Sequence, residues 1–125
     1  MLRTYLYVGA GGFLGAIARY ALSSWIGQWW GRSFPLGTFV VNISGCFFIG
    51  AVMTLLTERM LINPQLRSFM CIGFLGAYTT FSAFEYETSE LLKDGEQLIA
   101  VLNIFLSIVV GFIALKVGEA LAKAI

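Results

Sequence analysis

Long uncharged stretches separated by short charged ones dominate the chain. Residues 4–30 are uncharged apart from Arg19, residues 33–57 and 68–84 carry no charge, and the uncharged residues 97–115 precede an amphipathic tail that ends at residue 125. Since a helix needs roughly 20 mostly apolar residues to cross a bilayer, this pattern predicts four transmembrane helices. Asn63-Pro64 is expected to stop a helix and Lys93-Asp94-Gly95 to form a turn. We expect one four-helix transmembrane domain over residues 1–125.

The third uncharged segment is not an ordinary span. Residues 73–84, with the sequence GFLGAYTTFSAF, contain two glycines, three hydroxyl side chains within residues 79–82, and two phenylalanines one helical turn apart. Backbone at membrane depth must satisfy its own hydrogen bonds unless it faces protein or a cavity. The sequence therefore predicts a helix that breaks here, and such breaks are typical of sites where an ion or substrate binds.

The composition supports a membrane protein and narrows its chemistry. Hydrophobic residues make up 58% of the chain and charged residues 12%, with a mean hydropathy of +0.83, whereas soluble domains are about half apolar and a quarter charged. The net charge of +1 indicates no nucleic-acid partner. No histidine is present, and no acid pair or zinc-ligand set lies in the spans, which argues against an enzyme. Cys46 and Cys71 lie in separate apolar segments, which indicates buried thiols rather than a disulfide.

The distribution of basic residues leaves the orientation open. Four spans place five basic residues on one side and three on or toward the other, which is a weak bias under the positive-inside rule; the five are Arg3, Arg59, Arg67, Lys116 and Lys123, and the three are Arg19, Arg32 and Lys93. One interpretation is an N-terminus inside the cell. The other is a protein that inserts both ways and pairs antiparallel. Since four short helices enclose a pathway poorly, we expect a homo-oligomer, and Gly11 and Gly15 form a pair that lets helices approach closely.

Two polar side chains in the first two spans are candidate site residues. Arg19 is either a functional group that favours anions or a side chain that snorkels to the interface. Asn42 is either a polar bridge between helices or a donor to an anion, because its amide offers two N–H donors and one carbonyl acceptor.

Four further candidates lie in the last two spans. Phe81 and Phe84 share a helix face, and this spacing fits either core packing or ring edges that approach a small anion, since the edge of a phenyl ring is electropositive. Glu87 lies on nearly the same face and could line the same route or belong to an interfacial fringe. Ser107 either bonds its own helix backbone or lines a pore.

Three motifs in order resemble the CrcB/Fluc family of small fluoride channels. The first is residues 12–16, GFLGA, with Arg19-Tyr20; the second is residues 37–45, GTFVVNISG; the third is residues 73–84 followed by Glu87. Departures are Ala77, where relatives often have glycine, Ala83, where they often have a hydroxyl, and a thinner polar track on the fourth helix, with Asn103 and Ser107.

The resemblance implies a dual-topology, antiparallel homodimer with two pores in the cytoplasmic membrane. It implies that Phe81 and Phe84 present ring edges to fluoride, that Asn42 donates nearby, and that Ser82, Glu87 and Ser107 lie along the route. It also implies a structural, untransported sodium ion on the backbone carbonyls of Gly76 and Thr79. Oxygen ligands suit such a hard cation.

The function that the resemblance implies is passive, selective export of fluoride, which would protect the cell from fluoride toxicity. The main alternative is a small four-span exporter of multiple drugs or cations. Such exporters need a membrane-embedded glutamate on the first helix, and this chain has Arg19 there and no acid before it.

Overall fold

A computed structural model describes residues 1–58 and 63–125. Every element of regular secondary structure in these ranges is a helix. The helices are α1 (Leu2–Trp29), α2 (Leu36–Glu58), α3 (Pro64–Arg67), a π-helical segment (Ser68–Leu75), α4 (Gly76–Tyr78), α5 (Phe81–Lys93) and α6 (Gln97–Ala124). The prediction of an all-helical chain is confirmed. The elements from α3 to α5 form one interrupted run, so the described part of the chain has the four helical runs that the uncharged stretches predict.

The four runs differ in length and apolar character. In the described residues, α2 and α6 are long and apolar enough to cross a membrane by length and composition. Helix α1 has 28 residues, which corresponds to about 42 Å, but it is richer in glycine and in hydroxyl and amide side chains. Helix α6 continues without interruption through the predicted tail.

Glycines allow α1 to pack directly against the backbone of the interrupted run. A Cβ at Gly11 would overlap the carbonyl oxygen of Phe69, and one at Gly15 would overlap that of Phe74. The predicted close approach through this pair is therefore confirmed. The facing backbone is the π-helical segment, and π-helical turns are frequent at functional sites.

Helices α2 and α6 pack by the same device. A Cβ at Gly50 would overlap the carbonyl of Leu115, and one at Gly118 would overlap that of Phe47. With α1 against the π-helical segment and α2 against α6, the fold is built from two tightly packed pairs.

The connections correct one prediction and confirm another. Asn63 and Pro64 start a helix: the Asn63 side chain accepts a hydrogen bond of 3.0 Å from the Leu66 amide, and Pro64 is the first helical residue. This is the usual N-cap arrangement with proline at the first position. The turn before α6 is confirmed, and Gly95 in it has a φ of 78°. Arg59 lies outside the described residues.

Candidate functional site

The interrupted run breaks at Thr79 and Thr80, which confirms the predicted break. Both residues have extended backbone, with φ and ψ of −86° and 155° at Thr79 and −145° and 122° at Thr80. Helix α5 then begins at Phe81, and the Thr80 hydroxyl accepts a hydrogen bond of 3.3 Å from the Ala83 amide. Thr80 is therefore the N-cap of α5.

The Asn42 side-chain amide forms hydrogen bonds with the Thr80 backbone at the break. Its Oδ1 accepts from the Thr80 amide at 2.8 Å, and its Nδ2 donates to the Thr80 carbonyl at 3.0 Å. Asn42 is thus the polar bridge between helices that was one of its two predicted roles. An amide has two N–H donors, so one Nδ2 hydrogen remains for a second acceptor.

Arg19 contacts the break from the opposite helix. Its Nε donates to the Ala77 carbonyl at 3.0 Å, and the side chain is half-buried. The guanidinium therefore caps a carbonyl at the end of α4, where a positive charge is favourable. The structure thus holds the Nε of Arg19 against the break.

Two carbonyls at the break are suited to a cation. In a continuous helix the Thr80 amide would donate to the Gly76 carbonyl, but here it donates to Asn42. The Gly76 oxygen is thereby left without its helical donor, and the Thr79 carbonyl belongs to extended backbone. Backbone carbonyl oxygens are the ligands that a hard cation such as sodium takes, so the residues present fit the predicted ion.

A cavity of about 320 Å³ adjoins the break. Six of the predicted site residues line it together: Asn42, Gly76, Thr79, Phe81, Phe84 and Ser107. The Phe81 and Phe84 ring centroids are 5.9 Å apart, with the ring planes at 53°. The cavity thus combines an amide, three hydroxyl residues and two tilted rings in otherwise mostly apolar surroundings.

The two rings differ sharply in burial. Phe84 is 7% exposed, whereas Phe81 is 74% exposed in the single chain. Ser82 is also exposed and does not line this cavity. Phe81 and Ser82 therefore lie at the outer side of the break.

Glu87 lies at a second cavity, of about 340 Å³, and not beside the rings. The Thr38 hydroxyl donates to Glu87 Oε2 at 2.8 Å. The other carboxylate oxygen, Oε1, is buried and has no hydrogen-bond partner within residues 1–58 and 63–125. This cavity is more polar, and Arg32 and Trp30 also line it.

A buried series of hydrogen bonds connects Ser107 on α6 to α5, the helix that carries Phe81 and Phe84. The sequence alone did not predict it. The Thr88 hydroxyl donates to the Phe84 carbonyl at 2.8 Å, the Asn103 amide donates to Thr88 at 2.9 Å, and Ser107 donates to Asn103 Oδ1 at 3.4 Å. Asn103 is only 1% exposed. An amide inside an apolar span signals such a bridge, but the partner Thr88 follows from the packing of α5 on α6.

The fold and the site define a small helical integral membrane protein whose broken third run borders an aromatic and polar cavity. The family model described as "CrcB-like protein, Camphor Resistance (CrcB)" matches residues 6–119. The chain belongs to this CrcB family.

Curated relatives match over nearly their whole length. The "Fluoride-specific ion channel FluC" of Geotalea uraniireducens is 47% identical over 99% of this chain and 100% of its own. The protein of the same name from Geotalea daltonii is also 47% identical, with the same coverage. That from Solibacter usitatus is 46% identical over 95% of this chain and 98% of its own.

Proposed function

We propose that this protein is a fluoride-selective channel that exports fluoride passively across the cytoplasmic membrane and so gives resistance to fluoride. The observation that carries the proposal is the cavity beside the helix break, where Asn42, Ser107 and the Phe81 and Phe84 rings meet. Family membership and the names of the curated relatives support it. A channel needs no catalytic residues, so the protein is not an enzyme.

The chemistry of the cavity suits a small, strongly hydrated anion. A pore must replace the water that such an ion loses with donors placed along a narrow path. The free Nδ2 hydrogen of Asn42 is one such donor, and phenyl ring edges are electropositive. Ser107 can donate only when it releases Asn103, because a hydroxyl has one hydrogen.

Glu87 and Ser82 have positions that fit the two ends of the route. Glu87 borders the second cavity, where Arg32 and Thr38 are also found. Ser82 is exposed next to Phe81. In the proposed channel the second cavity is an aqueous entrance, and Ser82 meets the ion at the outer side of the rings.

The Gly76 and Thr79 carbonyls would hold a structural sodium ion. The ion would be coordinated by carbonyl oxygens that the break leaves without helical donors. It would also add positive charge near the anion route. Arg19 contributes to the same field from the other side, through its contact with Ala77.

The functional unit would be an antiparallel homodimer. Phe81 is 74% exposed in the single chain, which is costly for a residue that must shape a selective path. A second copy across the break would cover Phe81 and Ser82 and complete the pathway. The weak bias of basic residues is compatible with insertion in both orientations.

The pure protein reconstituted into liposomes tests the proposal. Vesicles are loaded with fluoride or with chloride, and efflux is followed with an ion-selective electrode in the absence of a proton gradient. We expect fast fluoride efflux and little chloride efflux. Equal release of both ions, or release that needs a proton gradient, would contradict a passive fluoride channel.

A multidrug exporter is the weaker candidate. The only charge within residues 4–30 is Arg19, and that side chain is bonded to Ala77. The first run thus offers no carboxylate for proton exchange.

A further inference from the structure

A pair of hydroxyl groups joins α2 to the last residue before the break. The hydroxyl oxygens of Ser44 and Tyr78 are 2.9 Å apart, and Tyr78 is 8% exposed. The Ser44 hydroxyl donates to the Val41 carbonyl at 3.1 Å. Because a hydroxyl has a single hydrogen, the donor of the bond between the two side chains is Tyr78.

The surroundings hold the Tyr78 ring in one place. The ring stacks on Phe74, with centroids 5.9 Å apart and planes at 15°. On the side of α2, a Cβ at Gly45 would overlap the Thr79 side chain and lie 3.3 Å from the Tyr78 ring. Helix α2 therefore presses directly on Tyr78 and Thr79, and the Tyr78 hydroxyl has little freedom to find another partner.

Two ties from α2 bracket Thr79. Asn42 holds Thr80 on one side of it, and Ser44 holds Tyr78 on the other. Both neighbours of Thr79 are thus fixed to the same helix. The Thr79 carbonyl lies in the same peptide plane as the Thr80 N–H, which donates to Asn42, and the Ser44 bond fixes the residue on the other side of Thr79. Together these ties set where the Thr79 oxygen points.

We infer that the Tyr78–Ser44 hydrogen bond positions the break, so that the Thr79 carbonyl is aimed at the cation site. Neither side chain contacts an ion in this scheme, and both are positioning residues. The inference rests on the proposed function, because that function supplies the sodium ion. It adds a part of the site that the predicted ligands and pathway residues do not include.

Three variants remove this bond: Tyr78→Phe, Ser44→Ala and the double variant. Tyr86→Phe is the matched control, since Tyr86 is 65% exposed on α5. Each protein is reconstituted, and fluoride efflux is measured as sodium replaces a large organic cation. Separately, the rise in Tm on adding sodium is measured in detergent, which reports ion binding without transport.

We expect the single variants to need roughly three- to tenfold more sodium for half-maximal efflux, the range for one neutral buried hydrogen bond. The rise in Tm at a fixed sodium concentration should shrink in parallel. The double variant should behave like either single variant, because all three lack the same bond. Tyr86→Phe should match the wild type.

Three results would overturn the inference. They are a wild-type sodium response in Tyr78→Phe, additive effects in the double variant, and an equal loss in Tyr86→Phe. If the wild type carries no fluoride, the proposed function fails. In that case only the rise in Tm on adding sodium tests the role of the Tyr78–Ser44 bond. If the wild type shows no sodium response in either assay, the cation site fails and the inference fails with it.

Discussion

At the scale of single residues, the site is notable for side chains that serve the backbone. Asn42 donates one hydrogen bond to Thr80 and accepts another from it, and Arg19 Nε donates to the Ala77 carbonyl. A buried amide or carbonyl without a partner costs free energy comparable to a lost hydrogen bond. These two residues therefore reduce the number of unpaired backbone groups at the break, which stabilises an interrupted helix inside the protein. Only their remaining N–H donors are free for an ion.

The dependence of the break on Asn42 is testable. Asn42→Ala removes two hydrogen bonds and leaves the Thr80 amide without its acceptor, so we expect a loss of roughly 1–2 kcal/mol in the free energy of unfolding. Thermal unfolding in detergent measures the change.

Thr57→Ala in the same helix is the control for this substitution. Among the described residues, the Thr57 hydroxyl bonds only the Met53 carbonyl one turn earlier, at 2.7 Å, so its loss should leave the Tm nearly unchanged. Equal Tm values for Asn42→Ala and Thr57→Ala would mean that Asn42 does not support the break.

At the scale of elements, glycine-mediated contact between α1 and the π-helical segment sets the frame in which the break lies. The backbones meet without intervening side chains at Gly11 and Gly15. Contact this close transmits any displacement of α1 to the residues just before Gly76. The ion route is thus positioned by main-chain packing as well as by polar side chains.

Gly15→Ala tests this contact. The new Cβ would overlap the Phe74 carbonyl, which is backbone and cannot rotate away. We expect a loss of about 1–3 kcal/mol, typical of overpacking, and slower fluoride efflux. The readouts are Tm in detergent and efflux from liposomes.

Gly9→Ala is the matched control on the same helix, because a Cβ there meets nothing within 4 Å in residues 1–58 and 63–125. It should be neutral or slightly stabilising, since alanine favours helix. A Gly15→Ala protein as stable and active as Gly9→Ala would contradict the role of this packing.

The elements also separate what sequence can predict from what it cannot. The break follows from glycines and hydroxyls inside the apolar residues 73–84, and the structure places it within this stretch, at Thr79 and Thr80. The π-helical turns do not follow, because they accompany packing against α1, where Gly11 and Gly15 meet Phe69 and Phe74, residues far away in the chain.

The contacts of the site residues show the same limit. Asn42 and Arg19 are visible in sequence as polar groups in apolar spans, but their partners Thr80 and Ala77 lie 38 and 58 residues away. Glu87 shares a helix face with Phe84, which allows either a place on the same route or a place in an interfacial fringe. The structure places it at another cavity, where the Thr38 hydroxyl of α2 donates a hydrogen bond to the carboxylate.

At the scale of the whole molecule, one copy leaves the site half-open. Phe81 and Ser82 face outward, and the apolar outer faces of α1 and α6 must meet lipid or a partner. A second copy in the opposite orientation would place two breaks at the same membrane depth, each completing the other. This arrangement follows from the proposed dimer and makes the orientation of the chain measurable.

A protease site added before Met1 tests the orientation. In sealed vesicles from cells that express the protein, external protease should cut about half of the chains, and permeabilised vesicles should allow all to be cut. A variant with extra lysines near the N-terminus is the control, because it biases insertion. Cleavage of all or none of the wild-type chains in sealed vesicles would contradict dual topology.

The proposed contact of fluoride with the edges of the Phe81 and Phe84 rings is tested most directly by fluoride and chloride efflux from liposomes that contain Phe84→Ile. This substitution keeps an apolar side chain but removes the electropositive edge. Phe48→Ile on α2 is the control, since Phe48 is half-exposed away from the cavity. We predict that Phe84→Ile slows fluoride efflux at least about tenfold, a barrier of about 1.4 kcal/mol, while Phe48→Ile matches the wild type. Wild-type fluoride efflux through a folded Phe84→Ile protein would contradict the account.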